Sequence, residues 1–569
     1  MSTSISQFKD ASVLIDTIIE NASIITMSEA RPYAHSVGIN HGVIVGIDEE
    51  LLGVSARNRI NAQGATVVPG FNDAHAHSVW FGLTLIEADV SGATTLTDIY
   101  DVIAEAAADS EGDGWIIASG LNHHATGGNY PDRDELDRVS QGRPVWIKHS
   151  SGHACVLNGV ALKLVGAENS APTVPSGGRV VVDDSGRPTG VLEETAMSLV
   201  QQLVLPYPLT VIEDALAKAT TQYAREGLTS VTDAGIAGGW IGHSPREFAA
   251  YQNAKDARKL LSRMQVMVSI DALDALPGHS DDPAGVGLAA GIRSGAGDEW
   301  LQLGPTKIFT DGSLLASTAL MTEHYEGASH NHGYLQGDPE ALREQALAAH
   351  RTGWALALHA IGDGALDFAL GILESAREDS SHPTMPNRIE HGGVIRPDQL
   401  QRLAATGASV VPQPHFIRLF GDGMIERLGA ERAQWSYRAR SFLDAGIVLP
   451  GSSDRPVAPG APLAVMQSFV ERLTQSGASY GEGEKITAHE ALRAYTVGSA
   501  VATGWGARKG TVARGMLADL VVLADSPVDV RAERIGQIGV EATIVGGFVS
   551  HDRSGLFSAV PGVRGSVAE

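Results

Sequence analysis

Apolar, β-branched runs alternate with amphipathic stretches through most of the chain, and the rhythm changes at both ends. Ser12-Val-Leu-Ile-Asp and Ala22-Ser-Ile-Ile-Thr-Met read as short strands. Gly38-Ile-Asn-His-Gly-Val-Ile-Val-Gly-Ile-Asp reads as a hairpin turning near Asn40–Gly42. At the other end, Leu517–Leu523 predicts a strand and Ala542-Thr-Ile-Val-Gly-Gly-Phe-Val a second hairpin. Two β-rich ends around a different middle predict one composite β-sandwich, built from residues 1–66 and 508–569.

The middle, residues 67–507, alternates strand-like runs with helical patterns such as Pro339–Arg351 and Ala365–Glu378. That rhythm signals parallel βα units and an α/β fold. Strands are expected at Thr66–Ala74, Thr229–Asp233, Met264–Ile270, Pro305–Thr310, Leu356–Ala360, Arg388–His391, Ser409–Val411 and Ile447–Ser452. Eight of them predict a (β/α)8 TIM barrel. The gap between the first two far exceeds a βα loop of about 2–6 residues. Residues 80–225 are therefore expected to hold an inserted α/β subdomain, with strands at Trp115–Ala118, Val145–Lys148 and Arg179–Val182.

Composition narrows the function classes. The 569 residues carry 42 Lys and Arg against 66 Asp and Glu, a formal charge of −24. A phosphate backbone or an anionic membrane needs clustered cations, so neither is an expected partner. The single cysteine, Cys155, excludes an internal disulfide. No basic-then-apolar leader opens the sequence and no run approaches the roughly 18 apolar residues of a membrane span. A cytoplasmic protein is expected, and a homodimer is the base-rate expectation.

Candidate chemistry gathers at the predicted strand ends. His75 and His77, in Phe71-Asn-Asp-Ala-His-Ala-His, are two residues apart and would share one face of a strand. Taken alone they could be surface or packing histidines. His359, His391 and Asp454 also end predicted strands, at the face where barrel catalysis occurs. Four histidines and a carboxylate at one end make a metal-binding cup with open positions. Lys307 lies inside an apolar run, where a bare ammonium is costly. It could extend its amine to water, pair with Asp311, or react as the neutral amine with CO2 to give an anionic carbamate.

His75-Ala-His77, Lys307, His359, His391 and Asp454 occur in the order found in the amidohydrolase superfamily of metal-dependent hydrolases, which the chain resembles. The motif Gly510-Thr-Val-Ala-Arg-Gly-Met-Leu-Ala-Asp519-Leu-Val-Val-Leu is similar to that superfamily's C-terminal motif. Pro144-Val-Trp, Gly152-His153, Pro188-Thr-Gly-Val-Leu, Arg388-Ile-Glu-His391 and Gln413-Pro414 resemble the amidohydrolase-3 branch, which includes N-substituted formamide deformylases. The resemblance implies that His75 and His77 bind the more buried metal and that His359 and His391 bind a second. It implies that Lys307, as N6-carboxylysine, bridges them, and that Asp454 is both ligand and general base. One or two divalent ions, zinc by default, are implied. The implied substrate is a small amide-like molecule, such as an N-substituted formamide. Deamination, ester hydrolysis and a catalytically silent binding role remain alternatives. His153 and Gln413 are expected at the substrate. Asn158 and His415 could line the same pocket or be structural, and Asp73 and Asp311 are expected to support ligands.

Overall fold

The computed structural model describes residues 14–109, 114–123, 125–149, 154–168, 178–238, 241–282, 284–378 and 383–558. Seven parallel strands form one nearly closed sheet in chain order. They are β1 (Phe71–Ala76), β2 (Leu228–Ile236), β3 (Arg263–Ser269), β4 (Leu301–Phe309), β5 (Leu356–Ala360), β6 (Arg388–His391) and β7 (Ser409–Val411). Every residue of β2 and β3 is buried, as expected of a parallel sheet covered on both faces. The intervening helices follow local rules. Pro339–Arg351 starts on Asp338, whose carboxylate accepts the Ala341 N–H at 2.9 Å, with Pro339 in its first turn. Gln399–Thr406 ends on Gly407 in the left-handed conformation.

Two expected strands are rearranged. The run Thr66–Ala74 is divided at Gly70. Thr66–Pro69 pairs antiparallel with Leu520–Leu523 in a separate sheet, and the chain then enters β1. A Cβ at Gly70 would lie 2.2 Å from the Thr229 hydroxyl, so only glycine allows this crossing. The expected eighth strand, Ile447–Ser452, forms no ladder. Pro450 has no N–H to give, and Asp454 takes φ +59°. The segment instead follows β1 through three backbone bonds: Ala74 N to Gly451 O at 3.0 Å, Asp454 N to His75 O at 2.8 Å, and His77 N to Arg455 O at 2.8 Å. Toward β7, Ser452 Oγ donates to Pro412 O at 2.8 Å.

Strands from both chain ends meet in one six-stranded sheet, beside a four-stranded sheet made from the N-terminal part alone. Both predicted hairpins are present, Val37–Asn40 with Val43–Ile47 and Val540–Val545 with Phe548–Asp552. Ile19, Val37 and Ile44 of the smaller sheet share an apolar core with Ile24, Val67, Leu520 and Ile544 of the larger.

Residues Val79–Ala219 form a compact unit of their own, around a six-stranded mixed sheet. Alternate residues of Val145–His149 serve opposite faces. Val145 and Ile147 pack with Ile99, Ile103 and Leu136, whereas Trp146 packs with Cys155, Leu162 and Leu192. Among the described residues, no helix is long and apolar enough to cross a membrane.

Candidate metal centre

β1 carries His75, and His77 follows directly on its last residue, with the two ring centroids 5.5 Å apart. β5 supplies His359 and β6 supplies His391, and their rings lie 4.6 Å apart. The His391 ring is 4.8 Å from that of His75, so the histidines form a continuous arc. Asp454 completes it from the segment beside β1. Its Oδ1 lies 3.3 Å from His75 Nε2 and 3.1 Å from His77 Nε2. Candidate ligand atoms of His75, His391 and Asp454 all fall within 4.8 Å of one another.

Three rings are aimed by partners on their far nitrogen. His75 Nδ1 meets Glu390 Oε2 at 2.5 Å, His359 Nδ1 meets Asp311 Oδ1 at 3.0 Å, and His391 Nδ1 meets Gln413 Oε1 at 2.7 Å. Each contact leaves Nε2 for the cup, the arrangement that orients histidines at metal sites. His75 Nε2 and Asp454 Oδ1 are buried and have no hydrogen bond of good geometry. Two donors on one tetrahedral ion stand about 3.4 Å apart, close to their 3.3 Å separation. The donor set therefore fits a divalent metal.

The electrostatics follow from burial. Desolvation alone would raise the Asp454 carboxyl, but contacts with His75 and His77 outweigh it and hold it well below the usual carboxylate range. Glu390 is likewise held low, against its burial, by Arg388 and His75. Burial, with cationic neighbours, pushes His359 and His391 well below the ordinary histidine value, which keeps both rings neutral. Lys307 is 1 % exposed and burial pushes its amine down to about 8. Its Nζ lies 5.0 Å from the Phe309 ring centre. It does not pair with Asp311, whose carboxylate accepts the N–H groups of Leu320, Ile361 and Gly362 and the His359 ring.

The structure thus brings His75, His77, His359, His391 and Asp454 together, with Lys307 buried on the adjoining β4. Gln413, expected at the substrate, is fully buried. Its amide is used by His391, Val411 O and Ser452 Oγ, so it orients a ring instead. Asn158 caps the helix Gly159–Leu164, and His415 Nδ1 contacts Ser468 Oγ at 2.8 Å. Asp73 holds two backbone N–H groups and a hydroxyl rather than a ring, accepting from His75 N and from Ser453 N and Oγ, and burial pushes it up to about 6. His153 lies outside the described residues.

Sequence reasoning missed Glu390 and Arg388. Arg388 Nε donates to Glu390 Oε1 at 2.5 Å, and both are fully buried. Neighbouring strand residues should face opposite sides, yet Glu390 and His391 both reach His75. His391 ends β6 with φ +71°, and that turn redirects its ring. The available signal was an Arg and a Glu two apart in a run otherwise suited to burial.

A sequence profile described as the amidohydrolase family matches residues 59–551. The chain is 30 % identical over 547 residues to the protein LONG AFTER FAR-RED 3 of Arabidopsis thaliana, covering 94 % of this chain and 92 % of that one. It is 29 % identical over 558 residues to the N-substituted formamide deformylase of Arthrobacter pascens, covering 95 % and 99 %. A solved structure of an uncharacterized metal-dependent hydrolase from Pyrococcus horikoshii is similar in fold, with TM-score 0.75 and 24 % identity over 91 % of this chain and 99 % of that one.

Proposed function

The chain belongs to the amidohydrolase family, and from that premise we propose that it is a metal-dependent hydrolase of a small amide, with N-substituted formamides as the nearest substrate class. The convergence of His75, His391 and Asp454 on one point, with both of these rings braced from behind, carries the reading. The named activity of the Arthrobacter pascens relative supports the substrate class. His75, His77, His359, His391 and Asp454 would hold the ion, and zinc suits these ligands. Lys307, as its carbamate, would add a bridging anion and a second ion; as the bare amine it fits a single-ion site.

When bound, a divalent ion supplies Lewis acidity toward water and the scissile carbonyl. Asp454 accepts a proton from the attacking water and passes it to the leaving nitrogen as the C–N bond breaks. An amide nitrogen leaves poorly unless protonated, so one carboxylate serves both steps. The neutral rings of His359 and His391 keep their Nε2 lone pairs available, and burial excludes competing water.

The test joins elemental analysis of protein purified without chelators to a panel of amides. One or two equivalents of metal with turnover of a formamide are expected. Asp454→Asn should lower kcat at least about a thousandfold, in line with loss of a proton-transfer group, while retaining most of the metal. A metal-free protein that takes up none would overturn the reading, and near-normal turnover in Asp454→Asn would remove that residue from the role of base.

A further inference from the structure

Phe309 ends β4 two residues beyond Lys307, so the two side chains share one face of the strand. Its ring is at the cup. The ring centre lies 5.1 Å from that of His359, at a tilt of 41°, and Lys307 Nζ stands over one face at 5.0 Å. Ring centres at the first of these separations are in direct contact, with no room for a substituent between them. His359, His391 and Lys307 are buried, whereas Phe309 is partly exposed. The cup of imidazoles and a carboxylate therefore has an apolar wall, and that wall keeps open surface.

Strand order fixes where the wall stands. The seven parallel strands follow chain order, and the segment ending in Asp454 bonds to β1 on one side and reaches β7 on the other. β4 is thus the fourth position around the sheet and the Asp454 segment the eighth, half a turn apart. The succession of rings agrees. Asp454 Oδ1 lies beside His75, the His391 ring follows at 4.8 Å, then His359 at 4.6 Å and Phe309 at 5.1 Å. A nitrogen that takes its proton from Asp454 lies on the Asp454 side of the carbonyl carbon. The acyl substituent then projects to the other side, toward Phe309.

We propose that Phe309 is a specificity-determining residue: its ring occupies the acyl side of the cup and restricts the substrate to formyl groups, whose carbonyl carbon carries only hydrogen there. The assignment rests on the hydrolase reading above and deepens it, giving a physical reason for formamides over larger amides. One added methyl on the acyl side must displace or compress the ring, and discrimination of that kind amounts to roughly tenfold to two-hundredfold.

The test compares the parent with Phe309→Ala and with Phe309→Leu, which keeps most of the volume should the alanine variant fold poorly. Formate, acetate and propionate differ only in what the carboxyl carbon carries, and each is titrated calorimetrically into the zinc-loaded proteins. N-butylformamide and N-butylacetamide give the matching kcat/KM ratio. The parent should bind formate at least about tenfold tighter than propionate. Phe309→Ala should improve propionate roughly tenfold to a hundredfold while moving formate less than about threefold, with Phe309→Leu between the two. The acetamide-to-formamide ratio should rise in the same order, with zinc content unchanged. A parent that binds propionate as well as formate overturns the assignment. So do ratios that stay within about threefold of the parent in the folded variants, and zinc-loaded proteins that bind none of the carboxylates. Failure of the hydrolase reading is seen separately, as zinc-loaded parent that cleaves neither amide, and the assignment falls with it.

Discussion

Glu390 decides how His75 behaves, because the two share a hydrogen bond of 2.5 Å in a fully buried setting. Arg388 holds Glu390 through Nε at 2.5 Å and Nη2 at 3.0 Å, and the same Nη2 donates to Ala74 O at 2.6 Å. The guanidinium thus braces the metal-facing histidine through its carboxylate and through the backbone just before it. Glu390→Gln would keep the shape and remove the anion. It should cost about 3–5 kcal/mol, since a buried Arg388 is left without its counter-charge, and weaken metal binding roughly 10–100-fold. Denaturant unfolding and competition with a chelator measure the two effects. Unchanged metal affinity would mean that His75 does not need its brace. The histidines and Asp454 were legible in the sequence because each ends an apolar run. Asp311 was expected to support a ligand, but Glu390 was not, and which ring each partner serves could not be read, since Glu390, Asp311 and Gln413 meet their rings across 315, 48 and 22 positions of chain.

Among elements, the segment ending in Asp454 shows why local pattern carried most of the fold but not all of it. β5, β6 and β7 match their expected bounds because apolar runs of strand length between helices leave little choice. Ile447–Ser452 has the same apolar pattern, yet its proline and its turn at Asp454 deny it a ladder on both sides. The consequence is functional: a regular strand would not place Asp454 Oδ1 against both His75 and His77. Gly451 sets that path, because a Cβ there would fall 2.3 Å from the Tyr495 ring, which is itself fully buried. Gly451→Ala should cost about 1–3 kcal/mol as an overpacked site. It should also reduce kcat more than the loss of folded protein explains, since Asp454 lies three residues on. Turnover per folded molecule, with folding followed by thermal midpoint, is the measurement. A destabilised variant with normal turnover would show that Asp454 is positioned from β1 alone.

At the scale of the whole molecule, the question is how the C-terminal strands are fastened to the starts of the parallel ones. Asp519, from the motif that resembled a family signature, takes the Arg263 guanidinium at the start of β3 through two bonds of 2.9 and 3.0 Å, and accepts Gly546 N at 2.8 Å. Lys509 enters beside it, donating to Ser230 Oγ of β2 at 2.6 Å. The motif therefore encodes a joint. One member of that joint is costly: Lys509 is buried, and desolvation, with Arg263 adding and Asp519 opposing, pushes its amine down to about 7. The unfolded chain, with lysine near pKa 10.4, binds the extra proton between roughly pH 7 and 10. Stability contributed by this position therefore rises with pH across that window, and the full penalty is present below pH 7. Lys509→Met should remove the penalty, stabilising the protein at pH 7 by on the order of 2 kcal/mol and by much less near pH 10. Unfolding by urea at both pH values reads the difference directly. A variant less stable than the parent at pH 7 would mean that the bond to Ser230 outweighs desolvation, and that the joint depends on the charge it buries.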